Sequence, residues 1–192
     1  FKKINFLIKN SNFIGGKEVL NFEKNFSKFT GSKYCVTVGN GTDALEIAVK
    51  ALNLKKNSEI IVPVNTWIST AEAVVHNGHK LVFCDVNLDD YTICLKDLKK
   101  KINKKTKAII FGDFFGNILN LDKIKRLCKN KKIMLIEDVS NNLGVKDNNV
   151  KSGTYGDITI CDFSLGKTIT CGEGGALLTN NKKIFSKAKE IR

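Results

Sequence analysis

Short apolar segments alternate with helix-type segments along most of this chain, and this alternation limits the folds it can adopt. Apolar runs of strand length are followed by stretches in which apolar residues recur every three or four positions. We predict strands at residues 34–38, 58–62, 80–85, 108–111, 133–137, 158–161 and 175–179, and helices at 18–30, 42–52, 70–77, 95–102 and 121–130. Strands that are apolar throughout are typical of a parallel sheet buried on both faces. We therefore expect an α/β domain with a mainly parallel sheet flanked by helices.

The first candidate site follows the strand at 34–38, where Gly39, Asn40, Gly41 and Thr42 precede a helix. Ligands of such sheets bind at the carboxyl ends of the strands, and free N–H groups at a helix start attract phosphate. Thr42 could instead be a plain helix cap, which is the more common role of such a turn. The spacing matches neither the dinucleotide-binding nor the P-loop motif. An anion site and simple helix initiation therefore both stay open.

The second candidate site is the end of the apolar strand at 133–137, which delivers Glu137 and Asp138. A carboxylate there could bind a metal, orient a histidine or pair with a protonated ring nitrogen, or it could be a helix cap. His76 and His79 are the only histidines, and their spacing lacks the glutamate of zinc hydrolases. We interpret both as helix-end or loop residues, and we predict no metal site.

The third candidate site surrounds Lys167, which lies among apolar and small residues within 162–170 and is followed by glycines at 172–175. A lysine that loses solvent loses proton affinity and becomes a usable amine nucleophile. Most lysines in so lysine-rich a chain would instead be solvated loop residues. The apolar surroundings favour the reactive interpretation for Lys167.

Charge and cysteine usage narrow the function classes. The net charge is +13, but the lysines are spread along the chain and fall on predicted helix faces such as 97–105 and 121–132, so nucleic-acid binding is not expected. The six cysteines show no CxxC pair and no metal spacing, which predicts buried free thiols and a reducing compartment. No signal-type segment and no apolar run of about 18 residues is present. We expect a cytoplasmic protein without membrane contact.

Together these segments resemble the DegT/DnrJ/EryC1/StrS family of sugar aminotransferases. The matching segments are residues 13–16, 39–45, 62–63 with 65–67, 136–138, 153–157, Lys167 and 172–175. The resemblance implies an aspartate aminotransferase-like (type I) large domain that binds pyridoxal 5'-phosphate. Because the chain stops at Arg192, it also implies that residues 1–192 form a partial large domain without the C-terminal small domain, as a fragment or a split-gene product.

The resemblance assigns roles to particular residues. The backbone at Gly41 and Thr42 would hold the cofactor phosphate, and Trp67 would stack on the pyridine ring. Asp138 would keep the ring nitrogen protonated. Lys167 would carry the cofactor as a Schiff base and then act as general base.

Three positions depart from the usual pattern of the family. Asn141 stands where a glutamine usually lies near the phenolic oxygen of the cofactor, and Leu143 stands where a histidine is common. Asp162 replaces a phosphate-binding serine five residues before the lysine. Its carboxylate would repel a phosphate unless it turns away or Ser164 takes over that role.

The resemblance predicts an enzyme that transfers an amino group, from glutamate, to a nucleotide-linked keto-sugar in surface polysaccharide synthesis. It also predicts a homodimer. Sugar dehydratases of the family replace the lysine by histidine, so Lys167 favours transamination. Two alternatives stay open. One is a truncated, catalytically silent interaction or regulatory module, which Asp162 and the short length favour; the other is a basic nucleic-acid-binding domain, which ranks last.

Overall fold

The computed structural model describes residues 1–112, 115–117, 121–147 and 150–192. In this part of the chain the helices are α1 (Lys2–Lys9), α2 (Gly16–Thr30), α3 (Gly41–Ala51), α4 (Ile68–His76), α5 (Leu95–Lys101), α6 (Leu121–Lys131) and α7 (Lys182–Ile191). The strands are β1 (Tyr34–Val38), β2 (Glu59–Pro63), β3 (Lys80–Cys84), β4 (Thr106–Gly112), β5 (Met134–Asp138), β6 (Lys146–Asp147), β7 (Val150–Lys151), β8 (Ile158–Asp162) and β9 (Gly175–Thr179). Helices and strands alternate over most of the chain, as the apolar pattern predicted.

Seven of these strands form one sheet in the order β1-β9-β8-β5-β4-β2-β3. The neighbours from β8 to β3 pair in parallel, whereas β9 runs antiparallel to both β8 and β1. β1 therefore points the same way as β8, and β9 is the one reversed strand in the sheet. The predicted α/β fold with a mainly parallel sheet is confirmed. β6 and β7 form a separate antiparallel pair.

The core lies on both faces of this sheet because successive strand residues point to opposite sides. In β2, Ile60 and Val62 belong to a cluster with α3, α4 and α7, and Ile61 belongs to a second cluster with α5 and α6. All three side chains are fully buried. The central strands are thus covered by helices on both sides, which explains their continuous apolar sequence.

Three elements were not predicted from the sequence: α1, α7 and the β6–β7 pair. The Asn181 side chain caps α7 by accepting from the N–H groups of Lys183 and Ile184, and Ile184 and Ala188 are buried one turn apart. That cap and spacing were a usable helix signal. None of the residues of α1 is buried, so its apolar residues do not mark a core-facing side.

The six cysteines all lie in the described part of the chain, and none forms a disulfide. Burial raises the pKa of Cys35, Cys84 and Cys128 to about 12. The expectation of buried thiols is wrong for Cys171, which is exposed in the loop before β9. Among the described residues, no helix is long and apolar enough to cross a membrane.

Candidate functional site

A cavity of about 470 Å³ lies where the parallel strands end. Its walls come from residues at or just after the carboxyl ends of β1, β2, β4, β5 and β8. The structure brings together in it all eight residues that the sequence singled out: Gly41, Thr42, Trp67, Asp138, Asn141, Asp162, Ser164 and Lys167. This volume is within the range of small-molecule sites, about 300–1,000 Å³.

Asp138 ends β5 and faces the cavity. The backbone N–H of Ser140 donates to its carboxylate at 2.9 Å. Burial raises the pKa of Asp138, and the hydrogen bonds from Ser140 and the charge of Lys167 oppose that rise. A Cβ atom on Gly112 would lie 2.8 Å from the Cβ of Asp138, so the neighbouring strand needs a glycine at this point.

The adjacent Glu137 points away from this cavity into the loop that precedes β8. Its side chain is 0% exposed and accepts three backbone N–H bonds, from Gly153 at 2.6 Å, Tyr155 at 2.9 Å and Gly156 at 3.1 Å. Burial raises the pKa of Glu137 and these three donors oppose it. Of the two carboxylates at this strand end, Glu137 therefore organises a loop and Asp138 faces the cavity.

Lys167 lies in the loop between β8 and β9. Its Nζ donates to Oδ1 of Asn141 at 3.0 Å and lies 3.9 Å from Oδ2 of Asp162. The side chain is 24% exposed. Lys167 is thus held inside the cavity by an amide and a carboxylate and is not a freely solvated loop lysine.

The start of α3 forms another wall of the cavity. Asn40 caps this helix, because its side-chain oxygen accepts from the N–H of Asp43 at 2.8 Å. The interpretation of Thr42 as a cap is therefore wrong. Gly41 is buried, and a Cβ atom there would lie 2.7 Å from the Cβ of Asp162. Only glycine allows α3 to approach β8 this closely.

Asp162 faces the start of α3 directly. Its Oδ1 accepts from the N–H of Gly41 at 3.1 Å and from the N–H of Ser164 at 3.2 Å, and its Oδ2 accepts from the hydroxyl of Ser164. Its own N–H donates to the hydroxyl of Ser140 at 3.0 Å. The carboxylate therefore does not turn away from the predicted phosphate position, and Ser164 is engaged with it.

Comparison with known proteins gives this arrangement a context. The sequence profile of the DegT/DnrJ/EryC1/StrS aminotransferase family matches residues 1–192. This chain belongs to that family.

The names of similar relatives refer to nucleotide-linked sugars. The GDP-perosamine synthase of Vibrio cholerae is 35% identical over 177 residues, which are 92% of this chain and 48% of that protein. The UDP-4-amino-4,6-dideoxy-N-acetyl-beta-L-altrosamine transaminase of Campylobacter jejuni is 35% identical over 188 residues, 96% of this chain and 50% of that protein. This DegT/DnrJ/EryC1/StrS chain thus spans about half the length of the curated relatives it matches.

The fold of this chain is also similar to that of solved structures. A GDP-4-keto-6-deoxymannose-3-dehydratase with a trapped PLP-glutamate geminal diamine superposes with a TM-score of 0.94 at 31% identity. The match covers 100% of this chain and 51% of that one. The expected aminotransferase-type large-domain fold is confirmed.

Trp67 supplies the aromatic face of the site in this DegT/DnrJ/EryC1/StrS chain. It is the N-cap residue of α4, with extended backbone, and its side chain is 65% exposed at the cavity. It is also the only tryptophan in the chain. Its ring is therefore available to stack on a planar ligand.

Some residues that line the cavity were given no role from the sequence, among them Gly112 and Ser140. The sequence contained a usable signal for both. Gly112 ends the apolar strand β4, and Ser140 lies two residues after Asp138, which ends β5. His76 and His79 lie outside the cavity, and His76 Nδ1 is 2.8 Å from Oε1 of Glu46. Within the described ranges no cluster of His, Cys, Asp or Glu could hold a metal ion.

Proposed function

We propose that this chain is the cofactor-binding part of a pyridoxal-phosphate-dependent aminotransferase that acts on nucleotide-linked keto-sugars. One observation carries the proposal: the Lys167 amine and the Asp138 carboxylate open into the same cavity at the strand ends. An amine nucleophile and a carboxylate for the ring nitrogen are the two groups that this cofactor requires from a protein. Membership of an aminotransferase family supports the same conclusion.

The residues of the cavity fit the cofactor at its ring end. Asp138 would hold a proton on the ring nitrogen, and a bound pyridinium would keep this carboxylate ionised against the effect of burial. The exposed face of Trp67 would stack on the ring. Asn141 would lie near the phenolic oxygen, and its contact with Lys167 places both groups on the same side of the cavity. When bound, pyridoxal phosphate supplies an electron sink for the pair left by the breaking Cα–H bond of an amino acid.

Lys167 has two tasks in this proposal. Its amine would first attach the cofactor covalently. Once the substrate amine has taken its place, the free Lys167 amine would move a proton between the substrate Cα and the C4′ position of the cofactor. The contact with Asn141 at 3.0 Å holds the amine in the cavity for that transfer.

The phosphate end of the site is formed by the start of α3. The backbone at Gly41 and Thr42 would bind the phosphate, because a helix start presents free N–H groups and a positive dipole end. Asp162 and Ser164 complete this end of the cavity. The side chain of Asp162 must move aside when the phosphate binds, since it accepts from the Gly41 N–H.

The proposed substrate class is supported by the relatives. Two curated relatives are named as enzymes of amino-sugar synthesis from GDP- and UDP-linked sugars, which supports a nucleotide-linked keto-sugar as acceptor. The PLP-glutamate adduct named for the similar dehydratase supports glutamate as the amino donor. Retention of Lys167 favours transamination over dehydration. We place the reaction in surface polysaccharide or amino-sugar synthesis.

We further propose that residues 1–192 form one partial large domain and that the working enzyme is a cytoplasmic homodimer. The exposed apolar side chains of α1, Ile4, Phe6 and Ile8, support a second copy as their cover. Six unpaired cysteines support a reducing compartment. Sedimentation of the purified chain tests the dimer: a monomer at all concentrations would contradict it.

Amino transfer is tested directly with ¹⁵N-labelled glutamate. The chain is incubated with pyridoxal phosphate, the labelled donor and a set of GDP- and UDP-linked 4-keto- and 3-keto-sugars, and products are examined by mass spectrometry. We expect the label in one aminated sugar nucleotide, and no label with Lys167→Ala. Absence of transfer together with absence of a cofactor adduct would favour the catalytically silent module.

A further inference from the structure

The Asp162 carboxylate already occupies the hydrogen-bond donors at the start of α3. It accepts from the N–H groups of Gly41 and Ser164 and from the Ser164 hydroxyl. Its side chain is only 16% exposed, and Lys167 lies 3.9 Å away as its cationic partner. The carboxylate is thus fixed by three donors and one cation.

These donors are the ones that an incoming phosphate needs at this end of the cavity. α3 is an 11-residue helix, and its positive end attracts one anion at close range. With the carboxylate in place, the Gly41 N–H is satisfied and a second anion would meet a negative charge at hydrogen-bond distance. A phosphate can bind there only after the Asp162 side chain has left.

We propose that Asp162 is an internal occupant of this anion position and sets the preference of the chain between phosphorylated and unphosphorylated ring ligands. Binding of a phosphorylated ligand includes the cost of displacing the carboxylate from Gly41 and Ser164. An unphosphorylated ring ligand leaves Asp162 where it is. The inference rests on the proposed function for the identity of the ring ligand, although the competition between the two anions does not.

Two ring ligands without an aldehyde isolate the phosphate contribution. 4′-Deoxypyridoxine 5′-phosphate and 4′-deoxypyridoxine cannot attach to Lys167, so their dissociation constants report reversible binding alone. Trp67, the only tryptophan in the chain and a wall of the cavity, provides a fluorescence signal for both. The variants are Asp162→Ser, Asp162→Asn, which keeps the side-chain size, and the control Asp43→Asn. Asp43 lies in the same first turn of α3 but is exposed and outside the cavity lining.

We expect Asp162→Ser to bind the phosphorylated ligand about tenfold or more tightly than the unmodified chain, the scale of one charge-assisted hydrogen bond. Its affinity for the unphosphorylated ligand should stay within about twofold, and Asp43→Asn should change neither by more than that. The affinity of Asp162→Asn for the phosphorylated ligand should lie between those of the unmodified chain and Asp162→Ser. Equal or weaker binding of the phosphorylated ligand by both Asp162 variants would overturn the inference.

Inorganic phosphate gives a second readout that does not depend on the cofactor. At matched ionic strength, replacing chloride by phosphate should raise the Tm of Asp162→Ser by more than that of the unmodified chain, because phosphate also stabilises folded proteins without a specific site. If no form of the chain binds either ring ligand, the proposed function fails, and this comparison still decides the role of Asp162. An equal phosphate effect on the unmodified chain and on both variants would show that Asp162 does not occupy the anion position.

Discussion

Replacing Glu137 by glutamine is expected to destabilise the fold by about 2–3 kcal/mol. The buried carboxylate accepts three backbone N–H bonds, whereas a glutamine side chain has only one oxygen. If that oxygen faces Tyr155 and Gly156, the amide NH₂ faces the N–H of Gly153. In the unmodified chain this N–H donates to the carboxylate at 2.6 Å. One buried donor is then left without an acceptor.

The magnitude follows from these three bonds. A buried donor without an acceptor costs about 1–3 kcal/mol. Each of the two retained bonds becomes weaker by about 1 kcal/mol, because its acceptor is now a neutral oxygen instead of a charged one. Removing a buried charge offsets part of this loss. For a chain of this size, 2–3 kcal/mol lowers the Tm by about 4–12 °C.

Thermal and urea unfolding followed by circular dichroism measure the change, with Asp138→Asn as the matched control. Asp138 is the next residue on the same strand, and its carboxylate accepts a single backbone N–H bond, from Ser140. We expect that control to cost less than about 1 kcal/mol, because its amide oxygen can keep the bond from the backbone N–H of Ser140. A Glu137→Gln variant as stable as Asp138→Asn would refute the assignment of Glu137 to the loop.

The remaining predictions concern the cavity and one surface pair. Asp138→Asn should weaken amino transfer by two orders of magnitude or more without unfolding the chain, since the ring nitrogen loses its anionic partner; a ¹⁵N-transfer assay at a temperature where the variant is fully folded checks this. Gly41→Ala should lower stability by about 1–3 kcal/mol, measured by urea unfolding, because its Cβ would meet Asp162 at 2.7 Å. Glu46 raises the pKa of His76 through a hydrogen bond, so the pair stabilises the fold fully below the unfolded pKa of His76 and loses this effect as pH rises through the folded pKa. Glu46→Gln should lower the imidazole pKa in an NMR titration, and an unchanged value would contradict the pairing.

Much of the fold could be predicted from the sequence because the buried strands consist mostly of apolar residues. β1 and β9 were placed with correct bounds, and most other elements shifted by one or two residues. At the start of α3 the shift comes from capping by Asn40, whose side chain accepts from the N–H of Asp43. The helix α4 also begins two residues earlier than the apolar pattern suggested, after Trp67, but without a side-chain cap. Reversal of β9 within the sheet had no local signal, since its pairing depends on distant strands.

Three segments of the candidate site were predictable because they follow strands, whose carboxyl ends a parallel sheet brings together. The roles of Trp67 and Asn141 came from the resemblance to the family. The different directions of Glu137 and Asp138 could not be predicted, since adjacent strand residues alternate and the sequence does not say which side carries the cavity. The contact of Asp162 with Gly41 also joins positions 121 residues apart. Only the tertiary structure shows that the carboxylate faces the start of α3.

The most direct test of the central claim is to identify the residue to which pyridoxal phosphate attaches. The purified chain is mixed with the cofactor, its visible absorbance is recorded, and borohydride reduction is followed by peptide mapping, which is essential because the chain has 30 lysines. Lys167→Ala, with the other lysines intact, is the control. We predict one reducible adduct that maps to Lys167 and disappears in this variant. An adduct spread over surface lysines, or one that persists in Lys167→Ala, would contradict the assignment of Lys167 as the catalytic lysine.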